Sequence, residues 1–339
     1  VNDTYTMNCQ SLRYNTQNEF VYFISRTHLH SDENDIFTNA GYYDIRNDLA
    51  LLVDSVEMLN EEQNFSGDSV FYDKKRNFGI GWNNVTIQDS TQGYIIKGNY
   101  AEHYENGGTS FVTDSTLLIL IDQGDSLYLH SDTLSVIFDS LQEPQELHAF
   151  NKVKFYRNDI QGVCDSMSIL VEDSLLTMYY NPVLWYGSNQ LSGDTIRMCV
   201  IDSSNMTMDI LENGFIIEDV FEEKEFNQIK GERIKGYITD KKLRQVDVIN
   251  NVECVYYVLE EDSSLIGINA SITNEMRIFL ENNKLKEILF YNNPDGALYP
   301  YNKFPEDKKI LKEFRWLNLY RPKSISEIFH TAIPRRWEE

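Results

Sequence analysis

The chain has 339 residues, enough for one long domain or two ordinary ones, and 42% of them are hydrophobic, enough for a sizeable core. Acidic residues outnumber basic ones by 53 to 30, which gives a formal net charge of −23. Because such a surface repels phosphate backbones and anionic membranes, we predict no nucleic-acid partner. No apolar run approaches the roughly 20 residues of a membrane-spanning helix.

The chain begins with a strand-like stretch, "VNDTYTMNCQ", and we expect a trimmed chain in which the absence of a signal peptide is uninformative. His28 and His30 stand two residues apart, a spacing that places both side chains on one face of a strand. Such a pair either holds a metal ion or lies on a solvated edge. The solvated edge is the favoured interpretation because no helical ligand motif accompanies the pair, so we predict no metal site and no cofactor.

A repeated pattern extends from the N-terminus to about residue 290. Its clearest copy is "FSGDSVFYD" at residues 65–73, and related stretches recur roughly every 30 to 40 residues. Nine copies are found when each is anchored on the residue that matches the aspartate of this copy: Gln10, residue 39, Asp68, Asn99, Asp132, Asp165, Asp194, Glu232 and Ala270.

Each copy opens with a small or polar pair, continues with alternating apolar residues, and ends in a second apolar segment such as "VTIQD" or "LLILID". An apolar period of two is typical of a half-buried strand. Because one copy cannot bury its own apolar face, neighbouring copies must stack to make a core. The sequence therefore predicts an all-β fold, an elongated twisted β-jellyroll or β-solenoid of about nine repeats over residues 1–291.

The literal tetrapeptide GDSL at residues 124–127 raises the question of a catalytic serine, Ser126. The dipeptide Asp-Ser/Thr occurs thirteen times, however, and these residues commonly open or close turns through hydrogen bonds to nearby backbone. An esterase would also need a helix after the serine and a later Asp-x-x-His that supplies the base. The residues after Ser126 read as a strand, and no Asp-x-x-His is present, so we predict no catalytic residue and no enzymatic activity.

Residues 292–339 break the repeat and contain three prolines before residue 306. Pro305 opens a stretch, "EDKKILKEFRWLNLY", that has helical spacing, with Ile310, Phe314 and Leu317 on one face and Leu311 beside them. The residues from Ser324 to Glu327 have the spacing of a capping box for a short final helix.

Two interpretations of this tail compete. It either caps the open edge of the last repeat, as solenoids require, or docks a partner through its concentrated positive charge. The cap is favoured. The basic residues behind the second interpretation are Lys308, Lys309, Lys312, Arg315, Arg321 and Lys323.

The four cysteines, Cys9, Cys164, Cys199 and Cys254, form no metal-binding spacing. The first two occupy the same position in copies five apart, which places them about 24 Å from each other at ~4.8 Å per strand, beyond the reach of a disulfide. We predict four free thiols, mostly buried, which leaves the redox compartment open.

The repeat and the tail together resemble a known family. "FSGDSVFYD…GIGWNNVTIQD", "IIKGNYAEHYENGGTSFVTDS" and the closing "PDGALYPYNKFPE…FRWLNLYRPKS" are similar to OstA-like proteins of Bacteroidetes. These are relatives of LptA and of the N-terminal periplasmic domain of LptD, proteins of lipopolysaccharide transport. The resemblance covers about residues 5–329.

The resemblance implies a non-enzymatic protein of the periplasm, associated with the outer membrane. It implies an apolar groove for the acyl chains of lipid A, a bridge to the outer-membrane translocon, and edge-strand stacking with other Lpt-type jellyroll domains. No ligand motif can be carried over, so the alternation supplies the candidate lipid-binding residues. They are Val70, Tyr72, Tyr100, Leu134, Val136, Met167, Ile169, Ile196, Met198 and Ile234.

Two other functions compete with transport. The first is a β-solenoid scaffold of the cell envelope that pairs its end strands with another protein and has a filled interior. The second is a carbohydrate-active β-helix enzyme, which would need a distinct cluster of carboxylates on one outer face. The acidic residues recur once per copy and mark no single copy, so transport is favoured, then the scaffold. A filled core without a groove would favour the scaffold.

Overall fold

The computed structural model describes residues 6–330 and 332, apart from residues 33, 62, 105–107, 123, 142, 261, 263 and 282–283. The protein is nearly all β, with 67% of residues in strands and 4% in helices, which confirms the predicted all-β class. The chain divides into two compact units, Val1–Arg157 and Asn158–Glu339. The tail belongs to the second unit, and the predicted division between residues 291 and 292 stays a prediction.

The first unit is built from fourteen described strands, and all of the strand pairings given for it are antiparallel. These are β1 (Thr6–Cys9), β2 (Leu12–Asn15), β3 (Phe20–Phe23), β4 (Thr27–His30), β5 (Asp35–Thr38), β6 (Ala40–Asp44), β7 (Leu49–Leu59), β8 (Gln63–Asp73), β9 (Phe78–Asp89), β10 (Tyr94–Tyr104), β11 (Thr109–Leu120), β12 (Leu127–Phe138), β13 (Pro144–Phe150) and β14 (Val153–Tyr156).

The second unit contains twelve described strands and a tail of short helical turns. Its strands are β15 (Ile160–Cys164), β16 (Ser166–Leu170), β17 (Leu175–Tyr179), β18 (Val183–Tyr186), β19 (Asn189–Ser192), β20 (Thr195–Val200), β21 (Asn205–Asp219), β22 (Phe226–Thr239), β23 (Lys242–Leu259), β24 (Leu265–Glu281), β25 (Lys284–Tyr291) and β26 (Asp295–Tyr299). Three 3₁₀ helices (Tyr301–Lys303, Glu306–Lys308 and Asn318–Tyr320) and one α-helix, α1 (Glu327–His330), follow.

Five long strands bend at a pair of consecutive residues with left-handed backbone, which we call a corner. The φ angles at these pairs lie between 50° and 67°, a region that Asn and Asp tolerate better than most residues. The strand register shifts there because the corner strand carries one more residue than its partner across the bend. The pairs are Asp54–Ser55, Asn83–Asn84, Asp114–Ser115, Glu212–Asn213 and Asn250–Asn251.

An acidic residue on the neighbouring strand stabilises several corners. The side-chain amide of Asn84 donates to both carboxylate oxygens of Asp68 at 3.1 Å, and Asn213 donates to Asp194 at 3.2 Å. Glu232 accepts from both asparagines of the following corner, Asn250 at 3.0 Å and Asn251 at 2.7 Å. These bonds give a structural reason for the recurring acid of the sequence pattern.

Eight of the nine predicted anchors lie either at the bend within a long strand or in the short link between two consecutive strands. The ninth, Ala270, is wrong as an anchor, because the register shift opposite Asn250–Asn251 falls at Asn274, four residues later. The description as nine equal repeats of a jellyroll or solenoid stays a prediction.

The corners divide each unit into two arms. In the first unit, the first arm comprises β1, β4, β5, β14 and the strand halves that pair with them, and the second arm comprises β2, β3, β6, β13 and the remaining halves. In the second unit, the first arm comprises β15, β18, β19, β26 and their paired halves, and the second arm comprises β16, β17, β20, β25 and theirs.

The two arms of the first unit pack against each other. Phe23, Leu52 and Val70 of the second arm form one buried cluster with Ile36 and Val56 of the first arm. Glycine makes room for this contact: a Cβ on Gly81 of the second arm would lie 2.8 Å from the ring of Phe65 on the first. The faces that meet in this way are the inner faces of the unit.

Candidate functional site

The structure places four predicted site residues of the first unit on two adjacent rows of the inner face. Val70 and Leu134 belong to one cross-strand row of the second arm, and Tyr72 and Val136 belong to the next row away from the corner. The first row runs Leu52, Val70, Gly81, Ala101, Val112, Leu134, Ala149.

The second unit repeats this arrangement. Met167, Ile196 and Ile234 lie in one row, and Ile169 and Met198 lie in the next. Seven consecutive members of the first of these rows are almost completely buried: Met167, Met178, Ile196, Ile210, Ile234, Val248 and Met276.

Tyr100 lies on the opposite face from the other nine, so its expected inward orientation is wrong. It pairs with Trp82, whereas the next residue, Ala101, belongs to the buried row of Val70. Its hydroxyl donates a hydrogen bond to Glu102, which raises the pKa of Tyr100 to about 12. The misplacement arises at the corner, where the register shift between Gly98 and Tyr100 interrupts the alternation used to assign the face.

A longer apolar row lies on the first arm of the first unit, and none of its residues was among the predicted site residues. The signal was in the sequence, since its members include Ile87 of "VTIQD" and Leu118 of "LLILID". The row runs Met7, Leu29, Ile36, Met58, Phe65, Ile87, Ile96, Leu118, Leu129, Phe155.

At several positions of the first unit, burial decreases from one row to the next away from the corner. Val70 is 6% exposed and Leu134 1% exposed, but Tyr72 and Val136 in the next row are only half-buried. The same decrease in burial occurs on the first arm. Val56 and Val85, next to the corner, are 1% exposed, whereas Met58 and Ile87, two residues farther along the same strands, are half-buried. In the same first-arm row, Ile96, Leu118, Leu129 and Phe155 are only 1–6% exposed, so the accessible apolar side chains form a local patch at Met58, Phe65, Ile87 and Tyr72, which we call the trough.

The corresponding rows of the second unit are closed over most of their length. Val246 and Ile278, in the row farther from the corner, are 5% and 7% exposed. On the first arm, Leu184 and Cys254 are each 2% exposed. The half-buried members are Ile169, Leu176, Met198 and Ile288, toward the two ends of the second-arm row, and Ile216 on the first arm, so the interior of this unit is filled over most of its length.

The tail packs on the outer face of the first arm of the second unit. Leu317 joins Val163, Val183 and Trp185 in one cluster, with Tyr320 against it. Leu311, Phe314 and Trp316 pack on a neighbouring cluster, and Phe304 and Leu311 pack on a third. The tail therefore covers a sheet face, and its first strand, β26, also pairs with the edge of β24 in the last copy.

Three buried glutamines fasten the tail to this face, and all three occupy the same cross-strand row. Gln190 donates to the carbonyl of Arg315 and accepts from the N–H of Leu317, both at 2.7 Å. Gln228 makes the same pair of bonds with residues 309 and 311, at 2.8 and 2.9 Å. The third, Gln161, accepts a 2.8 Å bond from the guanidinium of Arg321.

The predicted helix over residues 306–320 is wrong, because the segment holds only short 3₁₀ turns and extended stretches. The glutamine side chains bind the main-chain groups that a helix would bind internally, so tertiary contacts override the local propensity. Ile310, assigned to the apolar face, is 49% exposed. The short final helix is present as α1, but Glu327 accepts its capping bond from the N–H of Lys323 at 2.8 Å.

A buried polar cluster also joins the tail to the second unit. Glu225 lies 2.8 Å from the ammonium of Lys309 and accepts hydrogen bonds from Tyr257 at 2.5 Å and Tyr301 at 2.9 Å. Burial opposes ionisation of this carboxyl, but the bonds from these three groups outweigh it and lower the pKa of Glu225. Lys309 is thus paired within the protein although its side chain is 28% exposed, which weakens the interpretation of the basic tail residues as a docking surface.

Ser126 of the GDSL tetrapeptide lies half-buried in the loop before β12, and the strand expected after it is present. The four cysteines are free thiols, as predicted. Cys164 and Cys254 are buried, whereas Cys9 and Cys199 are half-buried, so burial is less general than expected.

Comparison with known proteins gives little further guidance. No family model and no curated protein matches the chain. One similar solved structure is LptH, the LptA-homologous periplasmic component of the conserved lipopolysaccharide transport device from Pseudomonas aeruginosa. The two share 11% identity over 34% of this chain and 81% of that chain, with a TM-score of 0.30, and a likeness at this level carries no argument about function. Among the described residues, no helix has the length and apolarity to cross a membrane.

Proposed function

We propose that the protein is a non-enzymatic lipopolysaccharide-binding transport protein of the periplasm. In this proposal, the acyl chains of lipid A lie in the trough of the first unit, and the protein bridges to the translocon at the outer membrane. The resemblance to OstA-like proteins suggested this role. The observation that carries it is the patch of half-buried apolar side chains on the inner arms, Met58, Phe65 and Ile87 on the first and Tyr72 on the second, beside rows that are buried.

The chemistry of the trough suits hydrocarbon better than a polar ligand. Leu29, Met58, Phe65 and Ile87 are apolar and half-buried on the first arm, opposite Tyr72 on the second. Burial of acyl chains against such a surface contributes about 0.8 kcal/mol per CH₂. Since the protein carries a net charge of −23, the phosphates of lipid A stay outside, in water or bridged by divalent cations.

Tyr72 and Tyr100 allow a matched test, because both are half-buried tyrosines of the first unit and they lie on opposite faces. A photoreactive phenylalanine analogue replaces each in turn, and the protein is irradiated with purified lipopolysaccharide. We expect a lipopolysaccharide adduct at position 72 and none at position 100. Equal labelling at both positions, or none at position 72, would contradict the proposal.

Acyl length provides a second measurement. Removal of one methylene from each buried chain should weaken binding by up to about fourfold per methylene, as follows from ~0.8 kcal/mol per CH₂. Added salt should change the affinity little because the contact is apolar. A steep loss of affinity with salt, together with indifference to acyl length, would indicate headgroup binding and refute the trough.

The scaffold remains a second candidate because the second unit has the filled interior expected of one. Strand β2 pairs with β3 and, in the part of the chain that the structure describes, with no other strand; Leu12 and Tyr14 on it are exposed. Such an edge suits stacking with another Lpt-type jellyroll domain. An absence of lipid labelling at position 72, combined with concentration-dependent self-association, would favour the scaffold over transport.

A further inference from the structure

The structure brings a carboxylate to the two histidines that the sequence placed on one strand face. His28 and His30 lie on β4, and Asp35 lies on the adjacent strand β5, directly opposite His30 in the register. All three side chains belong to the same face of this strand pair. Among the described residues, no other group of three His, Cys, Asp or Glu side chains brings its ligand atoms within 4.8 Å of one another.

Both imidazoles converge on a single carboxylate oxygen. The Nε2 atom of His28 lies 2.5 Å from Oδ1 of Asp35, and the Nδ1 atom of His30 lies 2.8 Å from the same oxygen. The ring of Phe37, opposite His28, stacks on that imidazole at 4.4 Å with an interplanar angle of 10°. The stacking and the strand register hold the three donor groups on one side of the sheet.

We propose that His28, His30 and Asp35 form a binding site for a divalent transition-metal ion, with Zn²⁺ as the best-matched ion. Two imidazole nitrogens and one carboxylate oxygen are ligands that Zn²⁺ takes at about 2.0–2.2 Å, which separates the donor atoms by roughly 3.3 Å in a tetrahedral site. Binding of an ion therefore requires side-chain rotations that widen the contacts at 2.5 and 2.8 Å to that spacing. Three protein ligands leave a fourth position for water or for a group from a partner molecule.

The site has a structural consequence for the first unit. A bound ion ties β4 to β5 by side-chain ligands in addition to the backbone ladder. A ligand that binds only the folded form raises stability by mass action, so the ion should raise the unfolding temperature of the protein. The acidic net charge of the protein also favours a cation over an anion at this face.

The pair of His148 and Glu146 supplies a matched control. Its imidazole lies 2.9 Å from a carboxylate oxygen, like the proposed site, but it is not part of a three-ligand group. The protein is treated with chelator, dialysed, and titrated with Zn²⁺ by calorimetry, together with the H28A, H30A, D35N and H148A variants. His28 and His30 are 36% and 57% exposed, so their replacement by alanine should leave the fold intact.

We expect one Zn²⁺ per chain in the wild-type protein and in H148A, and at least tenfold weaker binding in H28A, H30A and D35N. Zn²⁺ should also protect His28 and His30, but not His148, from diethylpyrocarbonate in the unaltered protein, read by peptide mass spectrometry. This measurement needs no variant. The proposal is overturned by an absence of stoichiometric binding, by affinity that the three substitutions leave unchanged, or by equal protection of all three histidines.

Discussion

The glutamine contacts predict that a single substitution at Gln190, more than a hundred residues before the tail segment it binds, will weaken the attachment of the tail. In Q190M the side chain keeps its approximate volume but loses both hydrogen bonds to the tail backbone. The N–H of Leu317 is buried, and an unpaired buried group costs about 1–3 kcal/mol, so we assign it ~2 kcal/mol. The partly buried carbonyl of Arg315 adds ~1 kcal/mol. The expected loss is therefore about 3 kcal/mol in the free energy of opening the tail.

Hydrogen exchange of the Leu317 amide measures this free energy directly, because opening of the tail exposes that group. Urea unfolding, followed by tryptophan fluorescence, reports whether the loss is local or global. The matched control is Q245M, because Gln245 is half-buried in the same unit and donates to Asp247, and among the described residues no hydrogen bond joins it to the tail. If Q190M exchanges within threefold of the wild-type protein at Leu317, the side-chain bonds do not hold the tail and the reasoning is wrong.

Three other predictions concern separate features. The pKa of Glu225 is lower in the folded protein than in the unfolded chain, so the unfolded chain binds a proton first as the pH falls. The stabilisation from this carboxylate is therefore present above about pH 4.3 and is lost as the pH falls through the folded pKa. E225Q should flatten that part of an acid-unfolding curve, and an unchanged curve would contradict the assignment. At a corner, N84V should lower the free energy of unfolding in urea by roughly 1–2 kcal/mol more than N84G, because glycine adopts the φ of 52° at this position far more easily than valine. Equal losses in the two variants would argue against the left-handed bend. Burial raises the pKa of the Cys254 thiol to about 12, so a thiol reagent should label Cys199 in the folded protein and Cys254 only after unfolding, as peptide mass spectrometry can verify.

The candidate lipid face was largely predictable because alternation is a local property of a strand. Val70 and Tyr72 are two residues apart, so they share a face whatever the rest of the chain does. Leu134 and Val136 follow the same rule, and the structure places them in the same two rows. Tyr100 escaped prediction because the register shifts at the corner beside it, where β9 carries one more residue than β10, and the alternation of faces does not continue across that bend.

The sequence alone also determined the class of the fold and the positions where strands bend. Pairs rich in Asn and Asp are the side chains that tolerate left-handed backbone, and their acidic neighbours accept hydrogen bonds from them, so both are written into local composition. These local rules hold in either unit because they depend on adjacent residues and on the strand that follows.

Only the tertiary structure decided which apolar rows stay accessible, where the tail lies, and which groups meet the two histidines. Tyr72 and Ile278 look alike as apolar strand residues, yet one is half-buried and the other is 7% exposed, because burial depends on which side chains pack over each residue. Gln190 reaches residues more than a hundred positions away, and Asp35 meets His28 across a strand pair whose register no local pattern fixes. Contacts of this kind depend on how surfaces fit together in space, and the order of residues along the chain does not specify that fit by itself.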